Sequence, residues 1–236
     1  MPQPHKKQAK KERVRLMFND IAHRYDFLNH FLSLGIDIQW RKKVKRHLKP
    51  FQPKEILDVA TGTGDLAIEL NKLNPDRIIG IDIAIEMLTV GNEKLSKKKI
   101  SNIVLQQGDS ENLKFNENTF DAVTVAFGVR NFENLNKGLA EMCRVMKKGG
   151  HVAILEFSKP KSFPLKQVYN FYFKYILPGF GKLISKHNDA YTYLPESVES
   201  FAEDVAFLKE MELAGFKTPR QKRLTFGIAT LYTGTK

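Results

Sequence analysis

Several things are scarce in this chain of 236 residues, and each scarcity narrows the reading. Cysteine occurs once, at Cys143, which excludes an intramolecular disulfide framework and any CxxC metal or redox site. The six histidines are scattered without the spacing of a zinc site, so no metal is expected. No apolar run approaches the roughly 18 residues that span a bilayer. The opening MPQPHKKQAKKERVR lacks the hydrophobic segment of a secretory leader and the Ser-rich, acid-poor character of a transit peptide. No internal repeat or low-complexity linker divides the chain. These absences predict a reducing, cytoplasmic protein, membrane-associated at most from outside. Acid is also in short supply: 26 Asp and Glu stand against 38 Lys and Arg, for a net charge of +12. Residues 1 to 50 alone carry 13 basic and 4 acidic side chains. Such a block attracts nucleic acid and anionic lipid alike, or is a solvated helix face.

With 42% hydrophobic residues, the chain can bury one sizeable core, so one main domain with appendages is expected. Val14, Phe18, Ile21 and Tyr25, then Ile36, Trp40 and Val44, recur at helical spacing and predict two or three N-terminal helices. From residue 54 short β-rich runs (EILDVA, RIIGID, NIVLQQGD, FDAVTVAFG, HVAILEF) alternate with amphipathic stretches. That alternation predicts an α/β fold, a parallel sheet with helices on both faces. Lys148-Gly149-Gly150 is expected to stop the helix containing Cys143. Residues 158 to 200 then interrupt the alternation. Nine aromatics fall between 163 and 193, and Val168, Tyr172, Tyr175 and Ile176 share a helical face, which predicts a helical insertion covering something. A helix in DVAFLKEMELAGF and two late strands close the chain. The expected boundaries are an N-terminal helical cap over 1–50 and a main domain over 51–236, with the insertion at 158–200.

The stretch LDVATGTGDLA, residues 57 to 67, carries the first chemistry. A strand, a loop with Gly62 and Gly64, and a helix opening near Asp65 bring backbone close to a ligand, because neither glycine presents a Cβ. Asp82 ends the second strand, where a carboxylate accepts the hydroxyls of a ribose. To this point a nicotinamide dinucleotide and S-adenosylmethionine fit alike. A pyrophosphate at a helix N-terminus wants bare N–H donors and no neighbouring anion. Here Asp58 and Asp65 flank the loop, which favours a phosphate-free cation, S-adenosylmethionine. Gly108-Asp109-Ser110 after the third strand sets a carboxylate and a hydroxyl where an adenine amine would lie; a plain turn is the alternative. In order, at successive strand ends, these cues make a set.

With LDVATGTGD, GIDIAIEML, GDSENLKFNENTFDAVTVAFGVRN, MKKGG, LEFSKP and AYTYLPESV in that order, the sequence closely resembles the C-methyltransferases of menaquinone and ubiquinone biosynthesis. The likeness runs from FNDIAHRYDFLN and FLSLGIDIQWR to the closing LTFGIATLYTGTK. FGVRN and YLPES are far more specific than the glycine loop. The resemblance implies the class I S-adenosylmethionine-dependent methyltransferase fold, a Rossmann-like seven-stranded sheet with the last strand antiparallel. It also implies methyl transfer to a ring carbon of a polyprenylated quinol, most often demethylmenaquinol, with a ubiquinone precursor as the alternative. By position, Thr63, Asp82, Asp109 and Ser110 match the family's cofactor contacts. Lys114 and Thr61 depart from its pattern.

A ring carbon becomes nucleophilic when the neighbouring hydroxyl loses its proton, so such an enzyme must stabilise or generate phenolate; positioning supplies much of the rest. The residues to do so are Arg130 and Asn131 in FGVRN and His23, Tyr25 and Asp26 in IAHRYD. Arg130 stabilises phenolate or orients water, since a guanidinium is no base at its normal pKa; a plain ion pair with Asp26 or Glu156 is its bland alternative. Exposed helix for His23 and packing for Tyr25 are theirs. The aromatic insertion reads as a lid for a ring with an isoprenoid tail or as core. The basic N-terminus then meets an anionic membrane surface, and dimerisation stays open. Two rivals are an RNA or other small-molecule methyltransferase and a non-catalytic binding protein. Nucleic acid is not expected, because the fourth strand leads into FGVRN and not into an Asn-Pro-Pro-aromatic motif.

Overall fold

A computed structural model of the chain describes residues 10–171 and 189–236. Tyr172, Tyr175 and Ile176 of the predicted insertion face lie outside the described residues. Two helices, α1 (Lys10–Leu32) and α2 (Ile36–Leu48), precede the first strand. The strands are β1 (Glu55–Val59), β2 (Arg77–Asp82), β3 (Ile103–Gln107), β4 (Phe120–Ala126), β5 (Met146–Phe157), β6 (Lys217–Leu224) and β7 (Ala229–Thr235). Between them run α3 (Asp65–Leu70), α4 (Ile85–Lys97), α5 (Leu135–Val145), α6 (Leu165–Phe171), α7 (Asp189–Ser200) and α8 (Val205–Leu213).

The seven strands form one sheet in the order β3-β2-β1-β4-β5-β7-β6. β1 to β5 pair in parallel, whereas β7 runs antiparallel to both β5 and β6. Consecutive strand residues point to opposite faces, so one hydrophobic run feeds two cores. Ile56, Ile78 and Ala122 pack with Trp40, Val44 and Leu48 of α2, Leu66 and Leu70 of α3, and Leu88 and Leu95 of α4. Leu57, Ile79 and Val123 face the other way, onto Leu139, Met142 and Cys143 of α5 and Phe207 and Met211 of α8. Thus α2 is built into one face of the sheet. By contrast α1 crosses the carboxyl ends of the strands, where Phe18, Ala22 and Tyr25 meet Ala84 and Met87.

One boundary differs from the sequence expectation. The helix with Cys143 stops at Val145, not at Lys148-Gly149-Gly150, and those residues lie within β5. Register shifts there, between Phe120↔Met146 and Ala122↔His151, which leaves the glycine pair as a bulge. Gly149 takes φ +77°, and a Cβ on Gly150 would sit 2.8 Å from the Lys147 carbonyl. Lys147 holds the bulge to β4 through Asp121 at 2.7 Å.

Candidate functional site

The strand order reverses between β1 and β4, and at that switch point the carboxyl ends of the parallel strands open a crevice. Two residues there hold left-handed backbone without being glycine: Ala60 after β1, with φ 51°, and Phe127 after β4, with φ 59°. Such strain persists where surrounding structure over-determines it, typically at functional sites. Gly128 explains how tightly the two turns meet, since a Cβ on it would fall 2.6 Å from Cβ of Ala60.

A cleft of ≈ 660 Å³ lies above these turns. It gathers Tyr25, Gly62, Asp82, Asp109, Ser110 and Asn131, with Phe18, Met87, Phe127 and Lys11. Asp82 accepts the Gly62 N–H at 2.8 Å on one oxygen and the Ala84 N–H at 2.9 Å on the other. Burial raises its pKa against the pull of those amides. The glycine loop keeps little for an anion: the Thr61 N–H goes to the Ile81 carbonyl, the Gly62 N–H to Asp82, and the Gly64 N–H to the Thr61 carbonyl. With Asp82, Asp109, Glu111 and Glu133 around it against Lys11, the cleft suits a ligand bearing hydroxyls and positive charge, and a pyrophosphate poorly.

Asp58 and Asp65 sit differently from the sequence picture of two acids open to the ligand. Asp58 is buried beneath the loop, where Thr61 donates to one oxygen at 2.6 Å and Thr124 to the other at 2.7 Å. Burial pushes its pKa up to about 6. Asp65 is paired with Lys94 at 2.6 Å and lies 3.5 Å from Arg41. Thr63 donates to Asp26 at 2.5 Å and accepts from Lys94 at 3.0 Å, so α1 is pinned to the glycine loop. Gly64 caps α3 at φ +79°. Asp58, Gly62 and Thr63 share a smaller recess beside the cleft, with Tyr25 and Arg41.

The amino end of α1 closes the cleft's far side. Lys11 lies 2.9 Å from Asp109 and 3.3 Å from Glu111. Although burial opposes it, Lys11 holds Asp109 below the usual carboxylate range. Lys10 donates to the carbonyls of Arg130 and Phe132 at 3.0 and 2.7 Å.

A second cavity, ≈ 770 Å³, adjoins the first and shares Phe18, Tyr25 and Phe127 with it. Its wall is apolar along α1, from Met17, Ile21 and Leu28, and aromatic at Phe127 and Phe157, which stack at 4.5 Å. Two guanidinium groups reach it, each tied to acid. Arg41 pairs with Asp37 at 2.6 Å and Arg130 with Glu156 at 2.7 Å. Arg130 also donates to the Phe127 carbonyl at 2.5 Å and to Ser197 at 3.2 Å, which fixes its plane over Phe157. Asn131 accepts from the Tyr193 hydroxyl at 3.0 Å. Burial raises the pKa of Tyr25, so its hydroxyl is a donor at neutral pH. His23 is exposed on α1 and lines neither cavity.

Among the described residues, no three His, Cys, Asp or Glu side chains group as a metal site. Sequence reasoning passed over Arg41, Lys94, Lys11 and Phe127. The first three read as solvated cations, and the bend at Phe127 has no composition signal.

Comparison with known proteins adds to this geometry. Residues 6–236 match the model of the ubiE/COQ5 methyltransferase family. The demethylmenaquinone methyltransferase of Bacteroides fragilis is 51% identical over 229 residues, which cover 96% of this chain and 94% of that protein. The ubiquinone/menaquinone biosynthesis C-methyltransferase UbiE of Geobacter sulfurreducens is 44% identical over 96% of this chain and 90% of its own. Among solved structures, an S-adenosylmethionine-dependent methyltransferase of Thermotoga maritima superposes with TM-score 0.64 at 18% identity, covering 93% of this chain and 98% of that one. That likeness shares the fold.

Proposed function

The chain belongs to the ubiE/COQ5 methyltransferase family, and from that premise we propose that it transfers a methyl group from S-adenosylmethionine to a ring carbon of a polyprenylated quinol, demethylmenaquinol first among them. One observation carries the reading: an acid-rich cleft and an apolar, guanidinium-bearing cavity meet at Phe18, Tyr25 and Phe127. Donor and acceptor held on either side of that junction need no further diffusion to react.

The cleft's own chemistry fits the donor, because carboxylates and engaged loop amides suit a phosphate-free cation with a ribose. Asp82 accepts the ribose hydroxyls, and Asp109 and Ser110 take the adenine edge. Bound there, S-adenosylmethionine supplies an electrophilic methyl group. On the other side, the aromatic wall of Phe127 and Phe157 stacks the quinol ring, and the apolar stripe of α1 follows its tail. N–H donors of Arg130 and Arg41 and the Tyr25 hydroxyl stabilise the phenolate oxygen as the acceptor hydroxyl gives its proton to water. After methyl transfer the ring carbon's hydrogen leaves to water as a proton, which restores the aromatic ring. Because each arginine is already paired with an acid, what they offer is directed hydrogen bonds more than net charge. Asn131, held by Tyr193, marks the border between the cavities. The basic N-terminal region meets the anionic membrane in which the acceptor dissolves.

The menaquinone precursor is favoured because the relative at 51% identity is named for it. Acceptor competition tests the reading: the protein is incubated with methyl-labelled S-adenosylmethionine and, in parallel, demethylmenaquinol, a demethylated ubiquinol precursor and total RNA. Label in demethylmenaquinol is expected. Label in RNA alone refutes quinol methylation, and label in the ubiquinol precursor alone overturns the choice of acceptor.

A further inference from the structure

The turn between α1 and α2 is built unlike an ordinary solvent loop. Leu34 at its apex is 85% exposed and holds left-handed backbone, with φ 52°. A leucine gains nothing there: the backbone conformation favours Gly or Asn, and the side chain meets water. The turn is nevertheless rigid. Gly35 N–H donates to the His30 carbonyl at 2.8 Å, and Ser33 and Arg41 donate to the buried Asp37 at 2.7 and 2.6 Å. Beside Leu34, Phe27 is 61% exposed and stacks on the exposed Phe31 at 5.7 Å, and Ile38 is exposed at the start of α2. Four large apolar side chains thus crown one helical hairpin, more than the scattered singles of an ordinary surface.

Charge is layered behind this crown. Along α2 the solvent side continues from Ile38 to the half-buried Lys42 and the exposed Lys43 and Arg46, roughly 6 to 12 Å higher up the helix. Among the described residues these three have no acidic partner. Between Ile21 and Pro50 the acids are Asp26 and Asp37 only, bound to Lys94 and Arg41. Apolar tip below and unopposed cations above match the layering of a lipid interface, hydrocarbon beneath phosphate. The apolar cavity opens beside the same turn, where Leu28, Asn29 and Ser33 line it.

We propose that this hairpin tip, Phe27, Phe31, Leu34 and Ile38, inserts into an anionic bilayer with Lys42, Lys43 and Arg46 at the phosphate level. The mouth of the apolar cavity then faces the membrane, and a long-tailed acceptor enters it without crossing water. The docking surface names the contact expected of a quinol methyltransferase and rests on that reading only for the identity of what enters.

The test is sedimentation of the full chain with phosphatidylcholine vesicles, with and without roughly one-third phosphatidylglycerol. Leu34→Asn with Ile38→Gln removes apolar area, and Asn suits the left-handed turn, so folding is spared. Binding to the anionic vesicles should fall roughly tenfold or more in that variant. Lys42→Gln with Lys43→Gln should lose binding to anionic vesicles only, by at least several-fold. Unchanged binding in the first variant overturns the proposal. So does a shift from dimer to monomer on sizing with vesicle binding intact, which would make the tip a contact between copies. Vesicle binding is read without catalysis, so normal binding without quinol methylation counts against the enzymatic reading and leaves the surface standing.

Discussion

Removing Arg130 should destabilise the fold as well as remove a group from the site, and the two effects must be separated before it informs on catalysis. The Arg130 and Glu156 side chains are 6% and 0% exposed and lie 2.7 Å apart. Glu156 also accepts the Phe157 N–H at 2.8 Å, so it is anchored where it stands. Breaking a buried pair from one side leaves an uncompensated charge and costs about 3–5 kcal/mol, a large share of the 5–15 kcal/mol typical of a domain. Arg130→Met should therefore lose about that much. In Arg130→Met with Glu156→Gln, no charge is left buried and the amide oxygen still accepts from the Phe157 N–H. Stability should return to within about 1–2 kcal/mol of the parent. Urea unfolding followed by tryptophan fluorescence reads this locally, because the sole tryptophan, Trp40, packs 5.9 Å from Phe127 and 6.0 Å from Phe157. Turnover of the stable double variant should stay low while binding of S-adenosylhomocysteine is near normal. A double variant that regains turnover would refute the phenolate role and leave Arg130 as the counter-ion of Glu156. A single variant that loses under about 1 kcal/mol would refute the energetic argument.

Other expectations follow from neighbouring residues. Asp82→Ala should weaken S-adenosylhomocysteine binding roughly 100-fold in calorimetric titration, since hydrogen bonds to a charged group contribute about 1.5–3 kcal/mol each; unchanged affinity would remove Asp82 from the site. Asp58 has its pKa raised from 3.8 to about 6, so its contribution to stability is full below the lower value and lost as pH rises through the higher one. Asp58→Asn should flatten the stability profile across that window and gain up to about 3 kcal/mol above it, and an unaltered slope in urea midpoints against pH would contradict this. Gly128→Ala should cost about 1–3 kcal/mol by overpacking and weaken donor binding, because its Cβ would push on Ala60; a variant as stable and as tight as the parent would show that the two turns are not in tight register.

The parallel sheet was legible because its strands are continuous apolar runs and its helices keep a strict stripe, as in Ile56 facing α2 while Leu57 faces α5. Asp82 was legible as well, since the second strand ends on it. The glycine pair after Cys143 was misread as a helix stop, because glycine marks a C-cap and a strand bulge equally; the pairing of Lys147 with Asp121 decides, and it is a tertiary fact. The charge argument from Asp58 and Asp65 chose the methyl donor for an incomplete reason. Both carboxylates are engaged, and what disfavours a phosphate is that the loop amides are engaged too. Arg41 and Lys94 escaped notice because a cation in an amphipathic helix looks solvated until its partner, Asp37 or Asp65, is brought beside it.

Where the methyl group arrives is the most direct test of quinol C-methylation. With trideuteromethyl S-adenosylmethionine and demethylmenaquinol, mass and nuclear magnetic resonance spectra of the extracted product should show the label bonded to a ring carbon, with both oxygens unmethylated. Label on oxygen, or no labelled quinone from a folded protein that binds S-adenosylhomocysteine, would contradict it.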